Sequence, residues 1–501
     1  MTQTGLRRLS GNAIASVTVT IVSAVLLFEL YRFLVRAIGI EQIGVWSLLI
    51  ATAGGVRLAD LGVSGSVVRF MAVDMGAGRP GAAAATLTQT ILFSAGTIGL
   101  ASLLAVAPVG WVISRAVDHD EVLALALQVL PWVMAAAWLS ALVTALAAAL
   151  DAVQQTVLRA LAMICGSALQ LALVYLYVPT YGLLALGPIQ VTFTAAQLLI
   201  LSVALAWTFR SHWRNSLRWS YARLVEMVRY GFVIQMAGLG QLLFEPVIRW
   251  LLGNFSGLAT IGYYDMANRA VVQFRQVIVS AYQMLVPFMA NRSTRLQSGT
   301  EQIAADYRVA FRLLLLVTVP YFALVGSALP FILVFWSGKF DDVFLLIGLI
   351  STLGWSVSTL NIPAYMFFLA IGKVRWIAVS QLLLGVLNVV FGYLGGTLYG
   401  GIGVVVGAML ALALSSLAIV WRFHFRYRIR LYREIPKVFW PMLLIGAGAL
   451  SVFYREAIHW AGQGIPDLIW FVALAAVAAL LAALVWHDPL RVQVTKQLLR
   501  H

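Results

Sequence analysis

Between Phe28 and Ala72 the chain reads FELYRFLVRAIGIEQIGVWSLLIATAGGVRLADLGVSGSVVRFMA, apolar enough to lie in a bilayer yet carrying Glu29, Arg32, Arg36, Arg57, Asp60 and Arg69. An ionisable side chain at the bilayer centre costs roughly 2.5–3.5 kcal/mol on insertion scales. Several of them in two hydrophobic helices imply a wet, protein-lined cavity rather than lipid. Most of these charges are positive, so the cavity favours an anion. Glu29 lies three residues before Arg32, and further on Glu245 lies four before Arg249, so each acid can pair within its own helix. Such pairs are either structural bridges or parts of a binding or gating site. Asp60, three residues after Arg57, either ties that arginine down or marks the cytoplasmic half of its helix. Arg36 and Arg69 lie near helix ends, where snorkelling to headgroups accounts for them.

The elements that must position these groups are membrane helices. The 501 residues are 62% hydrophobic and 11% charged, with a mean hydropathy of +0.92, whereas a soluble domain is about a quarter charged. Apolar runs of helix-spanning length recur from residue 11 to 486, and the run lengths exclude a transmembrane barrel. They number about fourteen, which gives an all-α polytopic membrane protein. No polar stretch is long enough for a separate soluble domain. The basic N-terminus leads into a charged helix without a small-residue cleavage site, and reads as a retained first span. The single cysteine, Cys165, permits no intramolecular disulfide and reads as a packing residue.

Loop charges give the orientation. The net charge is +15, from 34 Lys+Arg and 19 Asp+Glu. Alternate loops collect the bases, among them Arg7, Arg8, Arg79, Arg214, Arg218, Arg223, Arg292, Arg295, Lys373 and Arg375, and finally Arg491, Lys496 and Arg500. The other loops hold only Arg115, Lys339 and Arg455, beside acids such as Asp118, Asp120, Glu121, Asp341, Asp342, Glu456 and Asp467. By the positive-inside rule both termini are cytoplasmic. Two long basic loops, FRSHWRNSLRWSYAR near 209–223 and WRFHFRYRIRLYREIPK near 421–437, divide the chain. Their interleaved aromatic rings suit the cytoplasmic headgroups, with arginines on anionic membrane lipids and no nucleic-acid reader. The expected domains are an N-lobe of six helices at 1–210, a C-lobe of six at 211–430, and two additional helices with a cytoplasmic tail at 431–501.

An internal repeat supports the two six-helix lobes. Shifted by about 217 residues, FELYRFL at 28–34 lies over FEPVIRWLL at 244–252, matching Phe28 with Phe244, Glu29 with Glu245 and, with one residue of slack, Arg32 with Arg249. At a shift of 218, IGVW at 43–46 meets IGYY at 261–264, Arg57 meets Arg275, and FMA at 70–72 meets FMA at 288–290. Six spans separate the halves, so they are expected to enter the membrane in the same orientation, around a central cavity. The repeat places Arg57 and Arg275 on opposite lobes of that cavity. Gly54, Gly55, Gly62 and Gly65 punctuate the second apolar run and permit either a bend or close helix packing. The third and fourth runs read as packing surfaces without chemistry.

The segments RAIGIEQIGVWSL at 36–48, RLADLGVSGSVVRFMA at 57–72, and GYYDMANRAVV with the following VPFMA at 262–290 resemble the polysaccharide-transport branch of the multidrug/oligosaccharidyl-lipid/polysaccharide (MOP) exporter superfamily. That branch includes the O-antigen and exopolysaccharide (Wzx-type) flippases of lipopolysaccharide and related pathways. The resemblance implies a flippase in the bacterial inner membrane. Its substrate would be a lipid-linked oligosaccharide on an undecaprenyl-type diphosphate, moved from the inner to the outer leaflet by alternating access. It implies no cofactor and no metal, with polysaccharide polymerase and chain-length machinery as partners. In the related lipid II flippases, cavity arginines on the first, second and eighth helices are functional. Matched by helix and repeat phase, these are Arg32 and Arg57, with Arg275 and Arg269. Guanidinium suits a diphosphate by its planar fork of donors and permanent charge. Arg57 and Arg275 lead this set, followed by Arg32, Arg249 and Arg269, and Glu29, Asp60, Glu245 and Asp265 are coupling or structural acids. In the same analogy the last two helices form a groove for the lipid tail, with lobe support as an equal reading.

Other functions fit less well. No phosphate loop of the GxxxxGK[ST] kind occurs, so ATP is not the fuel. An anionic headgroup leaving a negative interior runs downhill by about 2.3 kcal/mol per charge per 100 mV, so the membrane potential alone can bias flipping. The six histidines are scattered, without metal-ligand spacing or a neighbouring nucleophile. A polymerase or ligase would carry a large outer loop with functional residues. A cation-coupled multidrug exporter of the same superfamily, the transport alternative, would rely on buried acids, whereas this cavity reads as net positive.

Overall fold

The structure, a computed structural model, describes residues 3–117, 120–210, 219–283, 300–337, 341–370, 373–459 and 468–486. The second FMA at 288–290, Asp118, Arg214, Arg218, Arg292, Arg295, Lys339, Asp467 and the tail bases Arg491, Lys496 and Arg500 lie outside them. Helices are the only regular secondary structure among the described residues, without a strand. Eight helices among them are long and apolar enough to cross a membrane. Two of these spans run to 39 and 52 residues. At 1.5 Å per residue the longer would reach about 78 Å, more than twice the hydrocarbon core. Backbone breaks divide both, at Gly39 (φ 79°) and at Tyr399 and Gly400. The break at Gly39 falls between the first and second apolar runs, where glycine relieves the positive-φ conformation.

The chain divides into two compact units, Met1–Gly262 and Tyr263–His501. In the first, α1 (Gln3–Ala53) leads into a 3₁₀ turn at Gly54–Asp60, then α2 (Val63–Gly76), α3 (Pro80–Ser114), α4 (Asp120–Ala152), α5 (Thr156–Tyr181), α6 (Leu183–Thr208) and α7 (Tyr221–Ser256). The division falls inside α8 (Leu258–Gln283). The second unit continues with α9 (Thr300–Ser337), α10 (Asp342–Thr359), α11 (Ile362–Ala370), α12 (Val374–Arg426), α13 (Leu431–Glu434), α14 (Phe439–His459) and α15 (Leu468–Trp486).

Lipid is as apolar as leucine, so these helices are held by close packing and polar contacts rather than by exclusion from water. In the first unit Val63, Val67, Phe70 and Met71 of α2 interlock with Ala83, Ala84 and Leu87 of α3 and Leu146, Ala149 and Leu150 of α4. Glycine permits the nearest approach. A Cβ on Gly62, itself at φ 75°, would collide with the backbone of Gly231 on α7, and one on Gly231 with that of Gly62. In the second unit α14 and α15 pack on α9 through Met442, Leu481, Leu316 and Ala323, leaving Leu444, Val452, Val472 and Leu480 exposed.

Two ionic knots anchor helix ends. Asp74, buried at the end of α2, accepts from Arg79 at 3.0 Å and from Arg223 at the start of α7, whose guanidinium also lies 4.8 Å from the Phe70 ring. Glu434 of α13 holds Arg312 (2.9 Å) and Arg308 (3.5 Å) of α9. The bases thus do more than set orientation: they tie α7 to α2 and α13 to α9. A double-mutant cycle with Asp74→Asn and Arg223→Gln should give a coupling of about 0.5–3 kcal/mol in thermal unfolding of the purified protein. Strictly additive losses would contradict the knot.

Candidate functional site

The glycine-rich second run does not continue as an α-helix. After Ala53 it tightens into the 3₁₀ turn, passes through Leu61 (φ 49°) and Gly62 in left-handed conformation, and restarts as α2. Arg57 and Asp60 both sit in this turn, with different surroundings. Arg57 is exposed and its Nη2 donates to Ser140 Oγ of α4 at 2.9 Å. Asp60 is buried, accepting from the Ser64 backbone N–H at 2.8 Å and from the Ser94 hydroxyl of α3. The tie between Arg57 and Asp60 that their spacing allows is not formed. The turn points one toward α4 and the other toward α3, and the carboxylate is engaged in capping the restarted helix. Gln235 of α7 fixes the turn by donating to the Leu58 carbonyl at 3.0 Å.

Arg32, Arg249 and Arg269 are engaged differently. Arg32 pairs with Glu29 at 3.2 Å, and Tyr175 of α5 donates its hydroxyl to the other Glu29 oxygen at 2.7 Å. Arg249 pairs with Glu245 at 2.5 Å, so the two repeat-related acids each hold the arginine of their own helix. Arg269 pairs with Asp265 at 2.6 Å, and the Asp265 side chain is fully buried. Arg275, two helical turns beyond Asn268 on the same face of α8, lies 5.0 Å from the centre of the Trp355 ring. That ring is fixed by its indole N–H donating to Asn268 Oδ1 at 2.7 Å. The Arg275 Nε is buried without a hydrogen-bond partner among the described residues. An unmet buried donor costs about 1–3 kcal/mol, which an anionic acceptor would relieve.

Two of the five arginines, Arg57 and Arg275, thus have no carboxylate within ion-pair distance among the described residues. Arg36 is exposed, and Arg69 stacks on the Tyr230 ring at 4.3 Å. Ser140, Ser94, Trp355 and Asn268 were not legible as site residues, because small polar and aromatic side chains are common on packing faces. The third run, read as a packing surface, buries Thr86, Gln89, Thr90, Ser94 and Ser102. His424, read as one of the scattered histidines, is buried in α12 and bonded to Tyr307 at 2.9 Å.

The profile of the polysaccharide biosynthesis protein family matches residues 34–345. The chain belongs to that family. Among curated proteins none matches the sequence significantly. An inward-facing multidrug resistance MATE family transporter of the MOP superfamily is similar in structure, with a TM-score of 0.72 and 14% identity over 83% of this chain and 98% of the other. The lipid II flippase MurJ in an inward closed conformation follows at 0.68 and 14%, over 95% and 97%. An outward-facing MATE transporter aligns at 0.60 and 16%, over 85% and 99%. The family match and these likenesses bear out the resemblance drawn from the sequence and the all-α, multi-pass membrane architecture. The chain has the fold of MOP-superfamily flippases and transporters, and this family member works in a membrane.

The two classes of arginine should separate by stability. Arg269→Met deprives a fully buried carboxylate of its guanidinium and should destabilise by about 3–5 kcal/mol, whereas Arg57→Met should change stability by about 0.5 kcal/mol or less. Thermal unfolding in detergent checks this; equal losses would contradict the distinction.

Proposed function

We propose that this protein is a flippase for a glycan carried on an undecaprenyl-type diphosphate, moving it from the inner to the outer leaflet of a bacterial cytoplasmic membrane. The observation that carries the reading is the pair of candidate arginines, Arg57 and Arg275, that have no carboxylate within ion-pair distance among the described residues. Positive charge in an apolar helix is retained at a cost, and three neighbouring arginines have an acid beside them while these two do not. A diphosphate supplies the missing acceptors, since each guanidinium can make parallel hydrogen bonds to phosphate oxygens. Arg57 is accessible in its turn, and Arg275 lies against the Trp355 ring.

Membership of a polysaccharide biosynthesis family supports a glycan cargo. The basic loops support cytoplasmic termini and contact with anionic lipids, and polysaccharide polymerase and chain-length proteins are the natural consumers of the flipped product. A multidrug exporter would need an acid free to meet a cationic substrate. Glu29, Glu245 and Asp265 are paired with arginines, and Asp60 is buried with its carboxylate bonded to Ser64 and Ser94.

Complementation of a flippase-deleted host, with protein levels checked and lipid-linked sugar followed by leaflet, tests the reading. A charge-assisted contact contributes about 1.5–3 kcal/mol. Arg57→Ala and Arg275→Ala should therefore each lower outer-leaflet product by about 10- to 100-fold, with Lys at either position recovering part of it. Full activity in both variants would remove the site, and wild type moving a cationic dye but no lipid-linked sugar would establish the exporter instead.

A further inference from the structure

Of the four acids set in apolar segments as candidate coupling groups, three are held by arginines of their own helices. Asp60 is the exception. It is 7% exposed, and among the described residues no basic side chain lies within ion-pair distance of it. The charged side chains on the elements packed around its turn are engaged elsewhere or exposed. Arg57, in the same turn, goes to Ser140. On α2, Arg69 stacks on Tyr230, and Asp74 is taken by Arg79 and Arg223. α3 has no ionisable side chain between Pro80 and Ser114. On α4 the ionisable groups are Asp120 and Glu121 at the start and Asp151 at the end, the last paired with Arg159. On α1 the Glu29–Arg32 pair is closed by Tyr175, and Arg36 and Glu41 are exposed. On α7, Arg223 meets Asp74 and Glu226, Arg249 meets Glu245, and Arg229 is exposed. Among the described residues none of these bases is paired with Asp60.

A buried carboxylate without a counter-charge in a membrane interior is relieved by binding a cation. Hard metal cations take about six oxygen ligands. Here the side-chain oxygens are the carboxylate pair and the hydroxyls of Ser64 and Ser94, which lie 3.3 Å apart and are both buried. A proton needs one lone pair, and the two hydroxyls serve both of its states. With Asp60 ionised, Ser94 donates to Oδ1. With Asp60 protonated, the acid O–H donates to Ser94 Oγ and the Ser94 hydroxyl rotates to donate to Ser64 Oγ. No hydrogen bond is lost in the exchange.

We propose that Asp60 is a proton-binding site, loaded and unloaded during transport, with Ser94 and Ser64 as a reversible hydrogen-bond relay. Its linkage to the cycle is geometric. Oδ2 caps α2 through the Ser64 N–H, and an ionised carboxylate is the stronger acceptor. Proton loading therefore loosens the start of α2 and with it the turn that carries Arg57. Linkage to transport rests on the flippase reading, whereas proton binding does not.

Infrared pH-difference spectroscopy on the purified full-length protein tests the site without substrate. Wild type should show a carboxylic-acid C=O band that Asp60→Asn abolishes and Ser94→Ala shifts to higher frequency. A band identical in wild type and Asp60→Asn overturns the proposal. So does a carboxylate that responds to sodium and not to pH. Should the Asn variant fail to fold, the Ser94→Ala spectrum decides, and an unshifted band overturns the relay. In proteoliposomes an imposed pH gradient should alter wild-type transport and leave Asp60→Asn transport unchanged; a gradient response retained in Asp60→Asn overturns the coupling. If the band behaves as expected but wild type flips no lipid-linked glycan, the proton site stands and the flippase reading falls.

Discussion

Ionised side chains inside apolar helices organise this molecule. Each must meet a partner of opposite charge, a fixed dipole or a ligand, because the bilayer offers neither water nor counter-ions. The chain meets most of this demand locally, with acid and arginine three or four residues apart on one helix, as in Glu29–Arg32, Glu245–Arg249 and Asp265–Arg269. Those pairs cost little to form, since the helix itself brings the two groups together. Of the candidate site residues, Arg57, Arg275 and Asp60 have no oppositely charged partner among the described residues, and the functional reading rests on these three.

The turn at Gly54–Asp60 sets two of them against different neighbours. A continuous α-helix through this stretch would place positions 57 and 60 on one face, near enough to pair. The tightened turn, with Leu61 and Gly62 at positive φ, separates them, so that the base stays accessible while the acid is buried as the cap of the next helix. The same glycine lets α7 approach backbone to backbone, and Gln235 of α7 holds the turn's carbonyl. Any movement of α7 against α2 therefore acts on the segment carrying both groups. The Asp74–Arg223 knot lies at the other end of that contact.

Much of this was legible in the sequence. About fourteen apolar runs map onto the described helices, and the Glu29–Arg32 and Glu245–Arg249 pairs follow their spacing, whereas the Arg57–Asp60 tie that spacing also allowed is not formed. The repeat also singled out Arg57 and Arg275, the two candidate site arginines without a carboxylate partner among the described residues. The break at Gly39 falls between two of those runs. Two features were hidden for physical reasons. Apolar periodicity says nothing of which small polar residue on a distant helix will face a given charge, so Ser140, Ser94 and Trp355 carried no signal. Asp74 and Glu434 sit among basic loop residues, where an acid reads as one more surface charge rather than as the centre of a knot.

The measurement that bears most directly on the central claim is binding of a short-chain polyprenyl diphosphate to the purified protein, against the corresponding monophosphate. The account predicts that wild type prefers the diphosphate, that Arg57→Ala and Arg275→Ala each weaken it by about tenfold or more, and that Arg32→Ala weakens it far less. Equal affinity of all four proteins for the diphosphate, or no preference over the monophosphate in wild type, would contradict it.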